Sequence, residues 1–536
     1  MGLLTAASLG PWTGVAAAQP EPTPDPPAQP APPEPAPPEL APPEPAPPRQ
    51  EAAPPPVEVT KPAAPPAAEA RAQVEAPAAA PPAAPPTTAP PAAAPMLDSF
   101  TFGSYGRVIA ATDFRGRPGR DADIVAHGSR LDESNYVELE LRRNDSWEKT
   151  HSSTLVVATL AMAHPIFHYT GEFDAKIALR NLFLEVRDIG VKGLSAWAGS
   201  RMYRGDDIYL LDYWPLDNLN TLGAGVRYDM SPRTRGALHA GFLKPQSGFF
   251  GQEVDRPAPL EQIGVSKVEV LSRQKFIGSA KLSHTVPLGE KAGLKGVAYG
   301  ELHQLPSGQR ESKPGDFDTL PSDGGYVLGA QIGAFTGERT THVNLFFRYA
   351  HGIAAYGDFS TPTQLAPDRT TAGAHELVVA LGGNWESGPV GVMLGAYARS
   401  FRNSSEDLDF NDVDEGILLA RPHVFFTELY GLAVEASYQT QQRGVLSSTL
   451  DAGGTPGTPE GPHSASLGRF GIIPFLSPAG RGDYSRPHLR LIYALTLRDE
   501  GARALYPQDD VASLRKVEHF FGFGAEWWFN SPNYGG

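Results

Sequence analysis

The run Phe520-Phe521-Gly522-Phe523-Gly524-Ala525-Glu526-Trp527-Trp528-Phe529 decides the fold. Phe521, Phe523, Ala525, Trp527 and Phe529 share one parity and make an unbroken apolar face. Phe520, Gly522, Gly524, Glu526 and Trp528 share the other, where a carboxylate stands among glycines and rings. Successive strand side chains point to opposite sides, so a period of two marks a strand whose faces meet different media.

The same alternation recurs upstream. In Tyr484 to Leu497, the residues Leu489, Leu491, Tyr493, Leu495 and Leu497 line one face, and Tyr484, Arg486, His488 and Arg490 the other. Pro487 lacks an N–H donor, which predicts that regular pairing starts after it. In Asn135 to Leu141, Val137, Leu139 and Leu141 oppose Tyr136, Glu138 and Glu140. In Phe100 to Ala110, Phe100, Phe102 and Val108 oppose Tyr105 and Arg107. A soluble sandwich gives such alternation too. Many strands of about 10 residues, long polar loops and an aromatic last strand together favour a transmembrane antiparallel β-barrel with the apolar parity outward. The 435 residues from Met96 to Asn530 allow about 16–20 strands at roughly 9–11 residues per span. Gly352 to His375, Arg402 to Gly416 and Arg443 to Asp483 read as long loops.

Composition narrows the alternatives. No run of about 18 apolar residues follows the N-terminus, which excludes helical spans. The chain has no Cys, so it has neither a disulfide framework nor a Cys-based metal site. A formal net charge of −15 argues against nucleic acid, whose phosphates need a basic footprint. Leu3 to Ala18 is apolar and ends in Ala16-Ala17-Ala18-Gln19, so residues 1–18 read as an export signal, although no Lys or Arg precedes Arg49. Residues 19–96 hold more than half of the 54 prolines. Proline fixes φ and removes a donor, so this segment reads as a disordered, polyproline-like periplasmic arm, a plain spacer or a reach toward peptidoglycan or another periplasmic partner. Residues 97–530 are then the barrel.

Several stretches resemble the maltoporin family of carbohydrate-specific porins. The strongest is Trp197-Ala198-Gly199-Ser200-Arg201-Met202-Tyr203-Arg204-Gly205-Asp206-Asp207, continuing through Ile208-Tyr209-Leu210-Leu211-Asp212-Tyr213-Trp214, with Gly223-Ala224-Gly225 after it. Tyr105-Gly106-Arg107, Arg130-Leu131, Tyr136-Val137-Glu138-Leu139, Arg180 with Asn181 to Glu185, Tyr484-Ser485-Arg486-Pro487 and Glu526-Trp527-Trp528-Phe529 follow in family order. Residues 230–480 carry no motif of the family. The resemblance implies a homotrimer of 18-stranded barrels in the bacterial outer membrane, in contact with lipid and lipopolysaccharide. It also implies a loop folded inward, an aromatic strip and a polar track along each bore.

Residue by residue, the resemblance implies Tyr105, Tyr136, Tyr484 and Trp528 as stacking platforms and Trp214 as a constricting ring. It implies Arg107, Arg130, Glu138, Arg180, Arg204, Asp207 and Asp212 as the polar track. The CH-rich face of a pyranose stacks on aromatic rings, and its hydroxyl rim pairs with carboxylates and guanidiniums. Several weak adjacent sites let a solute both enter and leave. The bland alternative for each residue is lumen filling, a solvated wall or a strand-to-strand ion pair. Two departures stand out. The family's R-H-D reads here as Arg204-Gly205-Asp206-Asp207, and its first tryptophan has only Tyr169 or Phe173 as weak counterparts.

Other chemistries fit poorly. Asp407-Leu408-Asp409-Phe410-Asn411 begins like a calcium loop, but Asp412 stands where the turn needs glycine. Asp207 and Asp212 fix no glycosidase geometry. There is no G-x-S-x-G elbow, H-E-x-x-H helix or P-loop, and the 14 histidines lack ligand spacing. The expectation is therefore passive sugar diffusion without cofactor, metal or catalysis. The alternatives are a general porin and, from another class, an outer-membrane enzyme or carbohydrate-binding surface protein.

Overall fold

The structure is a computed structural model. It describes residues 98–530 except 133–134, 164–170, 172–175, 260–262, 337–340, 406–411 and 445–461. The expected signal, the proline-rich arm, Tyr169, Phe173 and the Asp407–Asn411 stretch lie outside the described residues.

Among the described residues, twenty-two strands run in chain order. The first are β1 (Ser99–Thr112), β2 (Tyr136–Trp147), β3 (Ser152–Ala163), β4 (Lys176–Arg187), β5 (Leu194–Arg204), β6 (Asn218–Ser231) and β7 (Thr234–Leu243). A hairpin, β8 (Gly251–Pro257) and β9 (Val265–Ser272), precedes β10 (Lys275–Pro287) and β11 (Gly293–Leu305). A second hairpin, β12 (Gly308–Lys313) and β13 (Asp316–Leu320), precedes β14 (Asp323–Thr336), β15 (Thr341–Gly352), β16 (His375–Ser387) and β17 (Val390–Arg402). The last are β18 (Val413–Phe425), β19 (Tyr430–Arg443), β20 (His463–Leu476), β21 (His488–Arg498) and β22 (Val517–Phe529). Without the two hairpins, 18 strands form one antiparallel sheet, which closes where β1 pairs β22 in the register Tyr105↔Trp528 and Arg107↔Glu526. Closure pairs every edge, as a sheet in hydrocarbon requires.

Both faces follow the alternation in the sequence. Phe102, Leu139, Leu141, Leu222, Leu328, Leu418, Leu491 and Phe523 are exposed on the outside, while Glu138, Glu140 and Glu526 are buried inside. So large an apolar surface suits lipid, not water. Phe102 packs on Phe529 at 5.8 Å, and the exposed Trp147, Tyr228, Trp385 and Tyr430 stand near the same ends of their strands around the barrel, an aromatic belt at one rim. Turns such as 232–233 and 388–389 close that rim, and the long connections lie at the other, the outer rim of such barrels.

The expected loops are partly corrected. Gly352 to His375 is a loop, opened by a 3-10 turn at Ile353–Tyr356. Arg402 to Gly416 overlaps the ends of β17 and β18, leaving 403–412 as the connection. Arg443 to Asp483 is not one loop, because β20 runs through it. Pro487 is borne out as a boundary, since β21 starts at His488.

Candidate functional site: the narrowed bore

Two long connections fold into the barrel. Loop 113–135 is tied to the inner wall of β18 to β20. Ile124 N–H donates to Gln439 Oε1 at 2.9 Å, Gln441 Nε2 donates to the Ile124 carbonyl at 2.8 Å, and Asp132 pairs Arg469 at 2.9 Å. Loop 205–217 is tied to the neighbouring wall, where Asp217 pairs Lys281 of β10 and Asp206 pairs Lys295 of β11, each at 2.6 Å, before it crosses the bore. Its 3-10 turn, Tyr209–Leu211, buries Ile208, Leu210 and Leu211 against β16 and β17. Gly382 and Gly395 make that seat, since a Cβ on either would lie 3.2 Å from Ile208. Each aliphatic side chain buried there contributes roughly 1.5–3 kcal/mol.

The loops meet inside the bore. Arg130 N–H donates to the Leu210 carbonyl at 3.2 Å, and the Arg130 guanidinium lies 4.6 Å over the Tyr209 ring and 3.9 Å from Asp212. His127 stacks on Tyr213 at 3.8 Å. Tyr209 donates to Glu526 of β22 at 2.8 Å, and its hydroxyl accepts from Arg486. Glu526 is buried and also holds Arg486 at 2.8 Å, Arg490 at 3.2 Å and Arg130 at 3.5 Å. One carboxylate thereby fastens both loops to the closing strand.

The sequence-expected residues fall into three groups. Tyr105, Arg107, Tyr136, Glu138 and Arg180 stand together on β1, β2 and β4. Tyr136 donates to Glu138 at 2.5 Å, and Arg180 donates to both Glu138, at 2.5 Å, and the Tyr136 hydroxyl. Tyr105 is 1 % exposed, 6.0 Å from the Tyr136 ring, and its hydroxyl accepts from Arg107 and Arg130, so it supports Tyr136 and offers no free face. Arg130, Asp207, Asp212, Tyr484 and Trp528 gather around Tyr209. Tyr484 meets its ring edge-on at 5.7 Å and Trp528 at 5.9 Å, with Arg486 4.4 Å over Trp528. Arg204 and Trp214 form the third group. Arg204 alternates with the inward Tyr203, so it stands on the other side of β5, 3.8 Å over Trp214 and bonded to Asn218. Among the described residues, these two do not join the other groups.

A β-bulge aims Arg180. Thr159 pairs Asn181 and Leu160 pairs Leu179, which leaves Arg180 as the extra residue, turned toward Tyr136 instead of outward with Leu182. Gly199 on β5 faces this stretch at φ +133°, and a Cβ there would lie 2.2 Å from the Leu182 carbonyl oxygen.

Neighbouring carboxyls on the inward loop differ. Burial pushes Asp206 up, but Lys295 and Gln331 outweigh it and hold the group low, at about 2. Burial raises Asp207 to about 6, with Arg130 opposing and Asp212 and Asp206 adding repulsion. Residues that the sequence reading left out are Tyr209, Glu526, Arg486 and the Glu185 cluster, where Arg187, Arg201 and Arg227 converge. Ile208 to Leu211, an apolar run inside a loop, was the available signal for Tyr209.

A closed membrane barrel with an ionic bore and inward loops defines a porin. The LamB porin family model matches residues 100–529, and the chain belongs to that family. It is therefore a channel protein of the bacterial outer membrane. No curated protein matches. Solved structures similar to it include Acinetobacter baumannii OccAB1 (10% identity, 80% of this chain and 96% of that one, TM-score 0.40). Vibrio cholerae OmpT in its trimer form gives 9%, 81%, 99% and 0.38, and Pseudomonas aeruginosa OccK10 (OpdN) gives 12%, 81%, 99% and 0.37.

Proposed function

We propose that the chain conducts oligosaccharides by passive diffusion, with Tyr136 and Trp528 as stacking faces and Arg180 and Asp212 as hydroxyl partners, held in place by the buried Glu138 and Arg130. The observation that carries this reading is the Tyr136–Glu138–Arg180 constellation, a ring and an ion pair within hydrogen-bond reach on the bore wall. A ring takes the pyranose face while the pair takes its rim. The reading extends to a homotrimer, as the family resemblance implies, with residues 19–96 as a periplasmic spacer. The test is single-channel conductance in planar bilayers with a panel of sugars. Sugar should block the ion current, and Tyr136→Ala or Trp528→Ala should weaken the block about tenfold, the size of one stacking contact, while conductance holds or rises. No block by any sugar would leave a general porin. Unchanged affinity in both variants would remove these two rings from the path.

A further inference from the structure

On β4 to β6, three guanidiniums converge on one carboxylate. Glu185 receives Arg187 at 2.8 Å and Arg227 at 3.4 Å on Oε1, and Arg201 at 2.8 Å on Oε2. Arg227 also faces Asp229 at 3.7 Å, and Asp229 is held by Arg235 at 2.5 Å. Four cations thus share two carboxylates, a surplus of two positive charges. The Glu185 side chain is 2% exposed, whereas those of Arg187, Arg201 and Arg227 keep 30%, 21% and 30%. What faces water is the unneutralised charge. Arg227 Nε is buried and lacks a hydrogen-bond partner among the described residues.

The cluster is distinct from the Tyr136 group. Arg187 lies seven residues beyond Arg180 toward the short-turn rim, about 20 Å along the strand. There Arg201 also lies 4.5 Å over Phe183 and 5.1 Å from the Trp197 ring, and Trp197 stacks on His239 at 5.6 Å. The acidic loop does not cancel the surplus, because Asp206 and Asp217 are spent on Lys295 and Lys281. A wall for neutral solutes needs no more than matched pairs such as Glu138–Arg180. Like charges held this close repel unless an anion joins them, and guanidinium forks match carboxylate and phosphate oxygens.

We infer that the β4–β6 wall is an anion subsite on the periplasmic side of the constriction, and that the channel's solutes include acidic sugars bearing a carboxylate or phosphate. This rests on the sugar-channel reading above and narrows its substrate class. An acidic oligosaccharide passes the constriction and places its anionic group on Arg201 and Arg187, with the ring edge of Trp197 and Phe183 beside it.

The experiment is current block by the full chain in planar bilayers at about 0.1 M salt, where charge is not heavily screened. Trigalacturonate and maltotriose are compared at equal length, and glucose 6-phosphate with glucose. Trigalacturonate should block at a concentration about tenfold lower than maltotriose. Arg201→Gln with Arg187→Gln should erase that preference, leave the maltotriose constant within about twofold, and shift the reversal potential in a KCl gradient toward cations. Glu185→Gln keeps every arginine and should tighten trigalacturonate block, a readout that does not depend on the arginine variants folding. The glucose 6-phosphate arm decides between sources: stronger block than by glucose, lost in the same variants, admits phosphate, and equal block restricts the class to carboxylates. Equal or stronger block by maltotriose, or a preference that survives the arginine variants, overturns the inference and leaves the sugar reading standing. Block by neither overturns both.

Discussion

Replacing Glu526 by Gln should loosen the constriction. Its buried carboxylate binds Arg486, Arg490 and Arg130 and accepts from Tyr209. Gln keeps the shape but leaves three guanidiniums around a neutral amide. Breaking a buried ion pair from one side costs about 3–5 kcal/mol, because the remaining charge stays buried and unmatched. That shifts the opening equilibrium of the two loops by roughly 10²- to 4 × 10³-fold. Tyr209→Phe removes two charged hydrogen bonds, to Glu526 and from Arg486, each about 1.5–3 kcal/mol, but keeps the ring under Arg130 at 4.6 Å and the Glu526–Arg130 pair that holds the other loop. The assay is single-channel recording of both variants, after heat-modifiable gel mobility shows that each barrel is folded. Glu526→Gln should raise conductance and open-channel noise, with Tyr209→Phe between it and the parent. A folded Glu526→Gln channel with parental conductance and noise would refute the claim that this carboxylate holds the loops.

Three further outcomes follow from the site. Asp207 is raised to about 6, chiefly by burial, so its protonated form fits the folded loop better. The seating is complete below the usual carboxylate range, and it weakens as pH rises through about 6. Conductance and ion selectivity should therefore titrate near pH 6, and a titration that persists in Asp207→Asn would assign it to another group. Gly395→Val places atoms against Ile208, Leu211 and Leu210, 3.2 to 3.4 Å from the new Cβ. Overpacking of this kind costs about 1–3 kcal/mol and should displace the inward loop, read as higher conductance at unchanged barrel content by circular dichroism. Deleting residues 20–95 should leave a folded, heat-resistant barrel; loss of assembly would make the arm structural.

How much of this was legible in the sequence depends on what each face touches. β22, β21, β2 and β1 put lipid against one side and charge against the other, so parity alone separates Phe523 from Glu526 and Leu139 from Glu138. β20 conceals itself. Its inward face carries Ala465, Leu467, Ile473 and Phe475, buried within the apolar clusters that include residues of the inward loops, while Ser464, Ser466 and Pro474 dilute the outward side. Alternation fades wherever a loop gives the bore its own apolar wall, and the same cause veiled Tyr209, whose apolar neighbours Ile208, Leu210 and Leu211 serve that wall. Arg180 shows the opposite limit. Its parity matches Leu182 and Leu184, both exposed outside, and only the bulge turns it inward. Motif position found Arg180 where periodicity would have sent it to lipid. Periodicity, in turn, sets Arg204 on the side of β5 opposite Arg201 and Tyr203, where the motif had assigned Arg204 to the polar track. Period and motif fail at different places, because one reads the strand's geometry and the other reads what the strand was bent to hold.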